Sequence, residues 1–357
     1  NNRLTAELDV YNKVTDGILT TPNLHLTMGI KTPPTMNTAE VTNRGFELTV
    51  GWKDHVGDFN YAVSTNFSYN HNEVTKYLGK YEAGWVEKDG KKVWQSNIGD
   101  VSVDKDKGRI VEGHPIKEYY TLNTYSGNGT HFNSDGSVNI NGGPKDGMIR
   151  TEGDMKWLNA MIDAGYKFMP NQSVGRNNIY YGDLIYADLN GDGIYGSSYD
   201  YDFQGSSAMP KFGYGINISA SWKNFDLSML WAGNGGFKLY WEEDPYNSVA
   251  IRNGFATSER VANDHYFYDP ENPTDSRTNL NGYIPRLVEN SKQSRQTSNY
   301  YLYNGTYMKL KNLTIGYTLP VTLTEKISAE RVRVYLSGEN LFTITSFPGQ
   351  DPEMGAT

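Results

Sequence analysis

The sequence predicts an all-β protein: a transmembrane antiparallel β-barrel, of which this chain supplies a part. Three observations carry that reading. Stretches of about ten residues alternate large apolar side chains with small polar ones, as a sheet with one greasy and one wet face requires. In residues 210–222, Phe212, Tyr214, Ile216, Ile218, Ala220 and Trp222 oppose Lys211, Gly213, Gly215, Asn217, Ser219 and Ser221. Aromatic rings close the greasy face at both ends, where they would settle at the two headgroup levels of a bilayer. The composition also suits strands and turns, with 27 Tyr, 37 Gly and 13% aromatics.

The elements follow in chain order. Residues 4–11 set Leu4, Ala6, Leu8 and Val10 against Thr5, Glu7, Asp9 and Tyr11, and a Thr-, Pro- and Gly-rich stretch runs on to about residue 42. Residues 44–53 carry Phe46, Leu48, Val50 and Trp52 opposite Glu47, Thr49, Gly51 and Lys53. A short turn containing Gly57 leads into 59–70, where Phe59, Tyr61, Val63, Phe67 and Tyr69 oppose Asn60, Ala62, Ser64, Asn66, Ser68 and Asn70. That spacing is a hairpin. Lys223 and Asn224 alone join 210–222 to 225–233, whose Phe225, Leu227, Met229 and Trp231 continue the apolar face. Residues 307–318 and 331–342 pair across 320–330. In the latter, Val332, Val334 and Leu336 alternate with Arg331, Arg333, Tyr335, Ser337 and Glu339. Charges in that pattern are costly inside a soluble sandwich and natural on the wall of an aqueous lumen, where Arg331 and Arg333 are expected to pair with lumen carboxylates.

The connections alternate long and short, as outer-membrane barrels do with long extracellular loops and short periplasmic turns. On that assignment 12–42, 72–209, 237–304 and 344–357 are extracellular. The middle stretch is too long for one structureless loop; residues 116–125 are expected to add a strand there. The count is seven membrane strands, or nine if the insert adds two. A closed bacterial barrel takes an even number, so the chain is expected to be an interior part of a longer protein. No signal peptide opens it.

Composition removes several classes. A net charge of −8 and a pI near 5.3 argue against nucleic-acid binding. The absence of cysteine removes disulfides and thiolate metal sites. No run of about 18 apolar residues could form a transmembrane helix, while strands need only about 9–11 residues, so a mean hydropathy of −0.63 is compatible with a barrel. Neither an HExxH nor a Gly-x-Ser-x-Gly motif occurs, and the six His show no ligand spacing. An enzyme is not expected.

Several motifs resemble the SusC/RagA-type TonB-dependent outer-membrane transporters of Bacteroidetes. They are NNRLTAELDVYNK at 1–13, NRGFELTVGW at 43–52, VEGHPIKEYY at 111–120, GDLIYADLNGDGIY at 182–195, PKFGYGINISASWKNFDLSML at 210–230, NGTYMKLKNLTIGYTLP at 304–320, RVRVYLSGENLFTIT at 331–345 and PGQDPEM at 348–354. The resemblance runs from end to end and implies the C-terminal part of a barrel of about 22 strands. It also implies a plug, a TonB-contacting segment and a last strand lying outside this chain, and a SusD-like lipoprotein over the extracellular mouth. The expected function is import of an oligosaccharide or, alternatively, a peptide. A different class, a soluble β-sandwich glycan-binding module or adhesin, would bury the apolar face against a second sheet about 10 Å away.

Two local candidates follow. Asp188, Asn190 and Asp192 with Gly193 match the start of an EF-hand-like calcium loop, with Ile194 offering its carbonyl. Tyr199 stands where the closing carboxylate belongs, so Asp200 would enter through a one-residue bulge; the alternative is a metal-free Asx turn. For substrate, Tyr240 and Trp241 offer rings for sugar stacking, and Glu242 and Asp244 offer acceptors for hydroxyls. Trp85, Trp94 and Trp157 are further loop aromatics, with packing as the alternative role for every one of these rings.

Overall fold

The computed structural model describes residues 3–21, 34–105, 107–170, 179–241, 257–288 and 292–355. Seven long strands form one antiparallel sheet: β1 (Leu4–Thr20), β2 (Met36–Val56), β3 (Phe59–Lys76), β4 (Phe212–Trp222), β5 (Phe225–Gly235), β6 (Tyr307–Thr318) and β7 (Arg333–Thr345), paired in chain order. Two-residue turns join β2 to β3 and β4 to β5. Gly57 supplies a φ of +58° in the first, and Lys223 takes +51° in the second.

Register decides which side chains share a face. Leu4, Trp52, Val63, Ile218, Met229 and Leu313 fall in one row across the sheet. Val56, Phe59, Trp222, Phe225, Tyr317 and Val334 form the aromatic-rich row at one edge. Val10, Phe46, Tyr69 and Phe212 form the other, beyond which the same face turns polar at Asn12, Arg44 and His71. From Phe59 to Tyr69 the apolar band, at roughly 3.4 Å per residue and a tilt near 40°, stands about 25 Å tall, the height of a bilayer's hydrocarbon layer on a barrel. Trp222 is 52% exposed and Leu336 77%, and neither joins a buried cluster among the described residues. An apolar sheet face this wide and this bare is built to meet lipid.

The opposite face carries Thr5, Ser64, Asn217 and Asn312 in one row and Lys53, Ala62, Ser219, Ser228, Thr314 and Ser337 in the next. Arg333 binds Asp226 there through Nε at 3.0 Å, the lumen ion pair expected from the sequence. Tyr11 lies over Gly45, where any Cβ would strike its ring and the Tyr69 carbonyl, so Gly there makes room for an aromatic. Between Leu310 and Asn312 the ladder slips at Lys311, which moves Leu310 and Leu313 onto the same face.

The long insertions leave the sheet at one end and fold together. Their core gathers Trp157, Tyr186, Tyr266 and Tyr301, all below 2% exposed. Helix α1 (Glu152–Asp163) buries Trp157, Leu158 and Met161 along one side, and Thr151 and Asp154 close its start as a reciprocal capping box. Residues 116–125 do supply a strand, as expected, but it adds none to the membrane sheet, which keeps seven. That strand, Glu118–Leu122, lies in a separate four-stranded sheet and is buried along its whole length. Tyr119, Tyr120 and Leu122 are covered by protein on both faces, which a lipid-facing strand cannot be.

Candidate ligand-binding surface

Most of the residues singled out in the sequence find packing partners. Tyr240 is 5% exposed, its ring edge-on to Tyr301 and under the Lys107 ammonium at 4.6 Å. Trp241 packs edge to face on Phe347 at 5.3 Å. Trp157 is wholly buried, and its indole N–H donates to the Asn139 carbonyl at 2.8 Å. Trp85 and Trp94 meet edge to face at 5.6 Å on the hairpin Ala83–Lys88/Lys91–Ser96. The rings of Tyr240 and Trp241 thus serve the loop core in this conformation, the alternative role weighed for them. Glu242 and Asp244 lie outside the described residues.

The Asp188–Asp200 loop is closed by its own backbone. Asp188 accepts from Gly191 N at 2.7 Å and Gly193 N at 2.8 Å, and Asp192 accepts from Ile194 N at 2.8 Å. Asn190 donates to Asp192 at 3.2 Å. Asp200 comes back into the loop, as the bulge argument required, but its oxygens accept from Leu189 N at 2.9 Å and Ser197 N at 2.7 Å. Burial raises its pKa, opposed by those bonds. Among the described residues no three acidic or His side chains converge as a metal centre would need. The loop as folded is a set of Asx turns.

Among the described residues, two of the larger concave surfaces could meet a solute. One is the polar face of the sheet, where Arg3, Lys53, His55, Asn60, Ser219 and Asp226 line an open groove of about 710 Å³. The other is a cleft of about 700 Å³ between Tyr180–Tyr181 and the segment from Ala262 to Leu287. Tyr180 and Tyr181 meet edge to face at 5.0 Å, as do Tyr181 and Tyr268 at 5.1 Å. Arg286 lies over the Tyr180 ring at 5.4 Å and holds the buried Asp183 in a two-pronged pair at 2.9 and 2.8 Å. Sequence reasoning missed this cleft. Its signal was the local aromatic density of Tyr180, Tyr181, Tyr266, Phe267 and Tyr268, just outside the motifs that drew attention.

Comparison with known proteins gives this sheet its context. No family model matches the chain. It is 27% identical over 353 residues to TonB-dependent receptor P3 of Formosa agariphila, covering 99% of the chain and 29% of the receptor. It is 23% identical over 356 residues to TonB-dependent receptor SusC of Bacteroides thetaiotaomicron, covering 99% of the chain and 28% of SusC. The solved RagAB peptide importer in its closed-closed state superposes at a TM-score of 0.63 and 20% identity, over all of this chain and 32% of that one. In sequence the chain is similar to TonB-dependent receptors that include SusC, and in fold to the barrel of the RagAB importer. It spans less than a third of the length of the curated relatives it matches. A barrel wall of that kind accounts for both faces of the sheet, since it turns apolar side chains such as Ile216 and Leu336 outward and sets polar groups such as Ser219, Ser228 and the Arg333–Asp226 pair toward a lumen.

Proposed function

We propose that this chain forms part of an outer-membrane importer that takes up a nutrient oligosaccharide together with a SusD-like surface lipoprotein, with energy supplied by TonB through parts of the protein outside this chain. The observation that carries it is the sheet itself, greasy on one face and wet on the other across all seven strands, in a chain with SusC among its relatives. On this reading the two-residue turns are periplasmic, and the folded insertions at the other end of the sheet are extracellular. A second reading, peptide import, is favoured by the structural likeness to the RagAB peptide importer and keeps the same architecture.

The test is uptake of fluorescently labelled oligosaccharides and peptides by cells carrying the full-length gene. Oligosaccharide uptake that disappears on deletion of either this gene or tonB supports the proposal. Uptake of peptides alone moves the assignment to the second reading. For the Asp188–Asp200 loop we propose the metal-free Asx-turn form as the working one, supported by its backbone bonds.

A further inference from the structure

We infer that the cleft between Tyr180 and Tyr266–Tyr268 is a binding subsite for a neutral glycan, in which sugar rings stack on tyrosine faces and hydroxyls bond to the groups around them. This rests on the oligosaccharide reading above and adds to it a place and a charge class. The cleft's volume, about 700 Å³, falls within the range of ligand pockets. Its walls are rings set at right angles, 77° between Tyr180 and Tyr181 and 82° between Tyr181 and Tyr268, with Tyr180 still 38% exposed. Tyr181 and Tyr266 are themselves buried and back the corner, so the ring surface open to a sugar's C–H groups is that of Tyr180 and the half-buried Tyr268.

Charge selects the class. Both lining arginines have a counter-charge, Arg286 in Asp183 and Arg277 in Asp275, at 2.8 and 2.7 Å, and the lining His265 is bonded through Nδ1 to the Val261 carbonyl at 2.9 Å, so neither guanidinium is left to select an acidic ligand. Arg286 spends two of its five N–H donors on Asp183, which leaves donors for hydroxyl oxygens. Asn263 and Asn279, which also line the cleft, add amide groups.

Backbone pairing argues against a peptide. An extended peptide gains its affinity from main-chain bonds to a free strand edge. Here Tyr266 N bonds Ile284 O at 2.7 Å, and Phe267 exchanges bonds with Asn279 in both directions at 3.2 and 2.8 Å. That edge is already used.

The experiment is calorimetric titration of the full-length transporter, with its lipoprotein, in detergent. The probes are maltohexaose, cellohexaose, xylohexaose and mannohexaose as neutral glycans, hexagalacturonic acid as an acidic one, and a casein digest as peptide. At least one neutral hexasaccharide is expected to bind, with Tyr180→Ala and Tyr268→Ala each weakening it roughly tenfold. Tyr180→Phe, which keeps the ring, is expected to stay within about threefold. Equal affinity in wild type and both Ala variants overturns the cleft and leaves glycan import standing. Binding of the acidic hexasaccharide alone overturns the charge argument. Binding of peptide alone, or of no neutral probe, overturns the cleft and the oligosaccharide reading together.

Discussion

Ile216 offers a sharp test of which medium covers the apolar face. It lies opposite Thr65 and Trp231, four residues from Phe212 and six from Trp222 along β4. At about 3.4 Å per residue and a tilt near 40°, that places it about 10 Å inside one aromatic edge and about 16 Å inside the other. An arginine at that depth should cost about 2–4 kcal/mol. Asn217→Arg, one residue along and facing the lumen, should cost no more than about 0.5 kcal/mol. Ile216→Trp separates lipid from a protein core. Lipid yields to the larger ring at almost no cost, whereas a packed core would charge about 1–3 kcal/mol for overpacking. The assay is guanidinium unfolding of the full-length transporter refolded into lipid bilayers. Equal penalties at 216 and 217, or a large penalty for Ile216→Trp, would refute the reasoning.

Three further outcomes are expected. Lys309 is nearly buried and donates to Asp351 at 2.6 Å and Glu353 at 2.7 Å, so Lys309→Met should speed hydrogen exchange across 346–354 by roughly tenfold or more. The bond from Lys309, joined by Lys311, holds Glu353 below its ordinary value. A lowered carboxylate adds stability that is full above the unfolded pKa and lost as pH falls through the folded one; the protection factors of this segment, referenced to free-amide exchange at each pH, should therefore be steady near neutral pH and fall below about pH 4. Trp157→Ala empties a wholly buried site and strands the Asn139 carbonyl, and should destabilise the folded insertions by about 3–5 kcal/mol in a thermal melt. Calcium added to the metal-depleted protein should leave the melting temperature unchanged; a saturable rise would restore a cation to the Asp188–Asp200 loop.

The sheet was legible because each membrane strand must repeat one simple choice, apolar outward and polar inward, at every second residue. Even the bulge at Lys311 is written as a change of phase, from Leu310 to Leu313. Strand ends were not legible. β1 runs on to Thr20 and β3 to Lys76, past Asn12 and His71, where the strict apolar–polar alternation stops and Ile18, Val41 and Val74 meet instead in a small protein core. The insertions were opaque for another reason. Trp157, Tyr186, Tyr266 and Tyr301 meet from segments far apart in the chain, so no local period announces their core. The same non-local packing set Tyr240 against Tyr301 and Trp241 against Phe347, and placed Tyr180 and Tyr268 beside a cleft. Glu118–Leu122 has strand-forming residues, and only its tertiary position shows that protein covers it.

The most direct measurement is spin-label scanning of β4, with single cysteines placed at positions 214–220 of the cysteine-free strand in bilayer-embedded, full-length protein. Labels at 216, 218 and 220 should collide with dissolved oxygen and labels at 217 and 219 with a water-soluble nickel reagent, alternating at every step. A flat profile, with both reagents shut out on the Ile216 side, would place protein where hydrocarbon is required and contradict the account.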